Sequence, residues 1–369
     1  MGGIGVALAL GALALAAGLV VSDLLRRRRE EARAYLRGVR SMLSDDPDAA
    51  IEALSDGARL GDPGAVETYL ALGALFRRTG DLSRAVRLHR NMLLGPALDE
   101  ARRPEVEREL ALDYRASGML AEAADLYGKL AEAGDGAAAE GLRDVLVEGG
   151  QLREAAEVQR RIVAAGSPDR VLAHLLAALA REARAADLAG ARAAAAEAVR
   201  AHPGSADALL ALAEVEGAAG EGEAALAAAA RALDADPRAA LLAGPALDGV
   251  PSAPAALAFA EGRLVRAPDD AGLHLLRGRA LQRLGRGTEA VAALRRALEV
   301  DARGEAARAL RELLGDADAP RPLDLADRHA LLVEAVRRPA RPLVCGRCGS
   351  EAAALTWRCR RCGAFDAFP

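Results

Sequence analysis

Aromatic side chains are nearly absent from this 369-residue chain: Phe, Tyr and Trp together make up 2% of it. Without them there is little with which to stack bases or build an aromatic β-core, so a single-strand nucleic-acid platform is disfavoured. The net charge of −4 is small for the length and gives no global field to attract nucleic acid. Cysteine is missing from everything before Cys345, which excludes a disulfide framework running through the chain. The five histidines, His89, His174, His202, His274 and His329, are scattered and none lies near the cysteines in sequence. They read as packing or surface residues rather than ligands. Gly-rich phosphate loops are absent, because Gly2-Gly3-Ile4-Gly5 has no strand before it. No hydrolase constellation is visible, and the chain reads as a non-enzyme.

What the chain does contain is alanine and leucine, which favour helix. Leu72-Gly73-Ala74-Leu75-Phe76-Arg77-Arg78-Thr79-Gly80-Asp81-Leu82 reads as one helix, a tight turn at Gly80-Asp81, and the start of a second helix. Small residues at Gly73 and Ala85 let the two backbones approach. This is the pattern of a tetratricopeptide hairpin. Equivalent turn positions are Asp45, Gly80, Gly118, Gly150, Ala186, Gly220, Pro251 and Gly285, spaced 35, 38, 32, 36, 34, 31 and 34 residues apart. These scatter about a period of roughly 34. Five residues after each turn stands an alanine, from Ala50 and Ala85 to Ala256 and Ala290. Pro203, Pro237 and Pro268 each fall 17 residues after a turn, where a second helix must stop. Seven residues before the turn a small residue recurs, but Arg143 and Leu179 break that rule, and the unit around Pro251 lacks a turn glycine. Stacked hairpins of this kind wind into a superhelix whose inner groove holds peptides or protein segments. The residues that bind a partner there are not legible.

Gly2–Val21 carries no charge and is long enough to cross a ~30 Å hydrocarbon core. Arg26–Arg29 follow it and hold the C-terminal side in the cytoplasm. The alternative is a cleaved signal peptide with Ala14-Ala16-Ala17 as its processing site. Glu30–Leu43 reads as a helix leading away from the membrane, and Glu305–Leu314 as a helix closing the array. The expected organisation is an all-α chain: a transmembrane anchor at 1–25, a repeat array of about eight hairpins at 30–315, a linker with a short helix at 316–342, and a small metal-binding module at 343–369.

That module reads Cys345-Gly346-Arg347-Cys348-Gly349 and then, after ten residues from Cys348, Cys359-Arg360-Arg361-Cys362-Gly363. Each Cys-x-x-Cys-Gly is a knuckle in which two thiolates face one metal and the glycine lets backbone N–H groups turn toward sulfur. Cys345, Cys348, Cys359 and Cys362 are therefore expected to hold one metal ion in a closed structural site, with zinc placed ahead of iron. Trp357, Phe365 and Phe368 are expected to cap the site and seat it on the array near the closing helix at Leu314. Arg347, Arg358, Arg360 and Arg361 make it basic; nucleic acid, the array and anionic headgroups are the candidate partners of that charge.

The order of parts resembles the lipopolysaccharide assembly protein B family. Two stretches carry the likeness: Leu70–Arg90, with Leu75-Phe76-Arg77-Arg78 followed by Arg84-Ala85 and His89, continued by Asp113-Tyr114 and Gly118; and Cys345–Phe368, with Leu355 and Trp357. Arg360 and Phe365 depart from the family pattern. The resemblance implies a rubredoxin-like metal module and a single-pass inner-membrane adaptor facing the cytoplasm. It implies as partners a membrane-bound AAA protease and, through it, the lipid A deacetylase and lipopolysaccharide synthesis. The alternatives are a general membrane-tethered scaffold for another assembly and a rubredoxin-like electron carrier; homo-oligomerisation is left open.

Overall fold

The computed structural model describes residues 22, 26, 66–94, 98–163, 168–300, 306–307, 310–311, 314, 325–337, 342–352 and 355–368. The expected span Gly2–Val21, the helix Glu30–Leu43 and the turn at Asp45 lie outside the described residues. Among the described residues, no helix is long and apolar enough to cross a membrane. The chain divides into two compact units, Met1–Gly150 and Gln151–Pro369.

The first unit contains α1 (Val66–Arg78), α2 (Leu82–Leu94), α3 (Arg103–Ala116), α4 (Leu120–Glu132) and α5 (Gly136–Glu148). The second contains α6 (Leu152–Ile162), α7 (Arg170–Ala183), α8 (Leu188–Ala201), α9 (Ala206–Ala218), α10 (Gly222–Ala235), a 3-10 turn (Pro237–Leu241), α11 (Gly244–Asp248), α12 (Ala253–Leu264), α13 (Ala271–Arg283), α14 (Gly287–Val300) and α15 (Leu325–Arg337). Two short strands, β1 (Leu343–Val344) and β2 (Glu351–Ala352), pair antiparallel near the C-terminus. The described protein is thus all-α and tetratricopeptide-like apart from this ribbon.

The turns form for a local reason. Gly80, Gly118, Gly220 and Gly285 have φ between 73° and 83°, a region closed to most side chains. Each lets the next N–H reach back five residues and satisfy an orphan helix carbonyl: Asp81 N–H to Phe76 O at 2.8 Å, Met119 N–H to Tyr114 O at 2.9 Å, Glu221 N–H to Glu216 O at 2.9 Å, and Arg286 N–H to Leu281 O at 3.0 Å. The new helix begins at once. Its fourth residue is the recurrent alanine, and Ala85, Ala123, Ala155, Ala191, Ala225, Ala256 and Ala290 are all at most 1% exposed. A larger side chain at these positions would drive the two helices of a hairpin apart. Opening helices are capped from the side chain: Asp135 accepts from Ala138 N–H, Asp169 from Leu172, Ser205 from Ala208 and Asp270 from Leu273, at 2.9–3.2 Å.

Close approach is tightest where a glycine faces the partner helix. A Cβ placed on Gly73 would lie 2.4 Å from the His89 ring, and one on Gly278 would lie 2.5 Å from the Leu294 side chain. His89 cannot retreat, because its Nδ1 sits 2.6 Å from Asp113 Oδ2. Gly73→Ala is expected to destabilise the protein by about 1–3 kcal/mol through overpacking. Urea unfolding checks this; an unchanged midpoint would mean that α1 and α2 can slide apart freely.

The unit around Pro251 is the least regular, as the missing glycine foretold. Its first arm is not one helix. Pro237 and Pro245 each sit in the first turn of a new short element, so the arm breaks into the 3-10 turn and the five-residue α11. Beyond α14, Ala306, Ala307, Leu310 and Leu314 are buried with Leu294, Leu298 and Leu331, so α15 packs over the same core.

Candidate metal centre and its seat

The four cysteines converge. Their Sγ atoms all lie within 4.8 Å of one another, with Cys345–Cys362 at 3.7 Å and Cys348–Cys359 at 3.8 Å. A tetrahedron of thiolates about 2.3 Å from a central zinc ion has edges of about 3.8 Å, so the spacing fits such an ion. The two knuckles repeat one hydrogen-bond scheme. Cys345 N–H donates to Ser350 O at 2.9 Å, and Cys359 N–H to Ala364 O at 2.8 Å. Gly349 N–H donates to Cys345 O and Gly363 N–H to Cys359 O, both at 2.9 Å. Gly349 and Gly363 have φ of 67° and 71°, the conformation such a return requires.

Ser350 is a residue that the spacing alone did not single out. Its Oγ lies 3.0 Å from Cys348 Sγ and 3.3 Å from Cys359 Sγ. The Ser350 hydroxyl, followed by backbone N–H groups at Cys362 and Arg361, pulls the Cys359 thiol down to about 6. A thiol so placed is readily a thiolate, the form that binds metal. The ribbon's own core is small: Leu343, Leu355 and Phe368 with the buried Cys345 and Cys359.

The ribbon is seated on the second unit, but not where the sequence placed it. Among the described residues the contacts fall at α7, α9 and the broken arm of the Pro251 unit rather than at the closing helix near Leu314. After Leu314 the chain continues through α15, which packs beside α14, so closeness to Leu314 along the chain does not fix the landing point. Trp357 packs against the core formed by α9, α10 and the 3-10 turn. Leu242 packs against the ribbon core, and Arg238 Nη1 donates to Phe368 O at 2.7 Å. The irregular arm thus supplies two residues of the seat.

At the centre is His174 on α7, whose side chain is 2% exposed. Its Nδ1 lies 2.6 Å from Asp207 Oδ2 and its Nε2 lies 3.2 Å from Asp366 Oδ1 of the ribbon. Phe365 stacks on the imidazole with centroids 4.9 Å apart and planes 9° apart, and the Trp357 ring lies 6.0 Å away. Arg170 is 3.3 Å from the other Asp366 oxygen, and Arg181 donates to Asp207 Oδ1 at 2.7 Å. Burial works against charge on His174, yet the Asp207 hydrogen bond and the negative charges of Asp207 and Asp366 outweigh it and raise its pKa to about 9. Burial likewise works against charge on Asp366, and His174, Arg170 and Arg238 overcome it and lower its pKa. Asp366 has φ of 49°, the one positive φ outside glycine among the described residues. Its N–H donates to Trp357 O at 2.8 Å, so the loop around the second knuckle holds its backbone.

His174 is a buried packing residue, one of the two roles expected of the histidines from the sequence. Its charged partners were not anticipated. Elsewhere in the second unit, a cleft of about 490 Å³ lies between α6, α7 and α8, floored by Leu176, Leu179 and Ala183 and rimmed by Arg153, Arg160 and Glu197. An ion pair of 2.8 Å between Arg160 and Glu197 spans it.

No family model matches the chain. Over 159 residues it is 31% identical to lipopolysaccharide assembly protein B of Escherichia coli strain K12, a match covering 42% of this chain and 41% of that protein. Over 102 residues it is 29% identical to lipopolysaccharide assembly protein B of Haemophilus influenzae, covering 26% of each. The chain therefore matches about two-fifths of the length of the E. coli protein. Among solved structures it is similar to YrrB, described as a TPR protein with an unusual peptide-binding site, at 24% identity over 51% of this chain and 94% of that one, with a TM-score of 0.37. It is also similar to the C-terminal part of a TPR repeat-containing protein from Cytophaga hutchinsonii, at 12% identity over 73% and 95% of the two chains, with a TM-score of 0.40.

Proposed function

We propose that this chain is a non-enzymatic adaptor in the regulation of lipopolysaccharide assembly. The observation that carries the reading is the 159-residue match to lipopolysaccharide assembly protein B. The converging thiols of Cys345, Cys348, Cys359 and Cys362 support it, because they give the repeats a metal ribbon of the rubredoxin-like kind that the resemblance implies. In this reading the four cysteines hold one zinc ion, which is structural: all four positions of the tetrahedron are taken by protein. Gly2–Val21 anchors the chain in the inner membrane, with the repeats at 30–315 and the ribbon at 343–369 in the cytoplasm. The repeats bind protein partners, and the resemblance names a membrane-bound AAA protease that degrades the lipid A deacetylase.

The test is made in the cell the chain comes from. Removing the protein is expected to raise the steady-state level of the lipid A deacetylase several-fold and to increase lipopolysaccharide, measured by immunoblot and by lipid A quantitation. Purification from membranes with the anchor intact should bring down the protease. An unchanged deacetylase level on removal would sink the regulatory reading and leave the general scaffold.

A further inference from the structure

The contact between ribbon and repeats has an unusual chemistry for a buried joint. One imidazole is clamped between two carboxylates, Asp207 from α9 and Asp366 from the ribbon, and its face is covered by Phe365. A neutral imidazole carries one N–H, so one of the two carboxylates would face a ring lone pair. With an imidazolium, Nδ1 hydrogen-bonds Asp207 and Nε2 faces Asp366 as an ion pair at 3.2 Å, so each carboxylate meets positive charge. Arg181 and Arg170 sit at the outer oxygens of Asp207 and Asp366 respectively, and Glu214 pairs with Arg181 at 2.9 Å. Arg184 at the C-terminal end of α7 pairs with Glu214 as well, at 2.9 Å, and Arg238 of the 3-10 turn adds positive charge beside Asp366.

We propose that His174 is a protonated latch: its imidazolium, shared by Asp207 of the repeats and Asp366 of the ribbon, holds the ribbon in its seat, so that seating takes up a proton and loss of that proton releases the ribbon. The inference goes beyond the adaptor reading and does not depend on which protein the repeats bind. The second knuckle is the other half of the device. It fixes the left-handed backbone of Asp366 through the bond to Trp357 O, so the carboxylate meets the ring only when the ribbon is folded.

The sign follows from linkage. In the seated state His174 titrates at about 9, above the ordinary value of 6.5. In the released state it keeps Asp207, loses Asp366 and Phe365, and meets water, so its pKa falls. Seating is therefore fully supported below the released-state pKa and is lost as pH rises through about 9. Between the two pKa values the seating constant drops roughly tenfold per pH unit.

Trp357 is the only tryptophan in the chain, and its ring lies beside His174, where an imidazolium quenches indole emission. In the metal-loaded full chain, emission is expected to rise in one step with a midpoint near pH 9. Hydrogen exchange in Leu343–Phe368, corrected for its intrinsic pH dependence, should accelerate over the same step with the metal retained. His174→Gln should show high emission and fast ribbon exchange already at pH 7, and no step. Asp366→Asn leaves Arg181, Asp207 and His174 untouched, and asparagine tolerates the left-handed backbone; it should move the midpoint down by about one pH unit or more. A step that persists in His174→Gln overturns the latch. So does an unmoved midpoint in Asp366→Asn, or an emission change without faster ribbon exchange.

Discussion

Replacing Cys345 and Cys348 together by serine is expected to leave the purified protein without metal and to unseat the ribbon. Among its described residues the ribbon buries only Leu343, Leu355 and Phe368 besides Cys345 and Cys359, and its strands are two residues long. A core of that size cannot order some twenty-five residues against their conformational entropy. A metal ion held by the four cysteines would do so, since structural zinc contributes about 10–16 kcal/mol in small peptides. With two thiolates gone the remaining pair cannot close the tetrahedron. Both knuckles unravel, since Gly346 N–H of the first donates to Ala367 O beyond the second. Asp366 then leaves His174, Trp357 leaves the core beneath it, and Leu242 and Arg238 lose their partners. Metal analysis should fall from one ion per chain to none. Hydrogen exchange should rise in Leu343–Phe368 and also around His174, Asp207 and Leu242, with little change in Val66–Gly150. Full metal retention in the double variant would remove the four-cysteine site. Metal loss with unchanged exchange in α7 and α9 would mean that the seat contributes nothing to the repeats.

The parts of this molecule that were legible in its sequence are those whose cause is local. Gly80, Gly118, Gly220 and Gly285 announce turns because the backbone there needs positive φ within the turn itself. The alanine five positions on is legible for a similar reason: it faces a helix only one turn of chain away. The two Cys-x-x-Cys-Gly knuckles fix their own geometry, so the meeting of the four thiols was legible from spacing. The seat was not legible, because it joins Arg170, His174, Asp207, Arg238 and Asp366 from elements spread along the whole second unit. No periodicity connects them. One signal was available, however. The arm that breaks the repeat pattern at Pro237 and Pro245 is the arm that gives Arg238 and Leu242 to the ribbon, and a lapse in a regular pattern is where a non-repeating task is expected.

Asp113→Ala is expected to be the most damaging single substitution in the first unit, at about 3–5 kcal/mol. Asp113 on α3 is 0% exposed and ties three helices together. Its Oδ1 accepts from Arg77 of α1 at 2.6 Å, and its Oδ2 lies 2.6 Å from Nδ1 of His89 on α2, which is itself 0% exposed. Removing the carboxylate leaves a buried imidazole with no partner at Nδ1 and a guanidinium held only by Glu109 at the rim. The cost is the stranded polar groups and a cavity, not the lost attraction alone. Glu109 provides the control. It pairs with the same Arg77 at 2.7 Å but is 26% exposed, so water can replace it and Glu109→Ala should cost no more than about 1 kcal/mol. Asp113→Asn should fall between the two, since an amide keeps the volume and one acceptor but cannot balance Arg77. Urea unfolding of the three variants, followed by far-UV circular dichroism, gives the ranking. If Asp113→Ala and Glu109→Ala cost the same, burial does not govern this cluster, and α1 and α2 are held by their apolar contacts around Leu72, Leu75 and Phe76 instead.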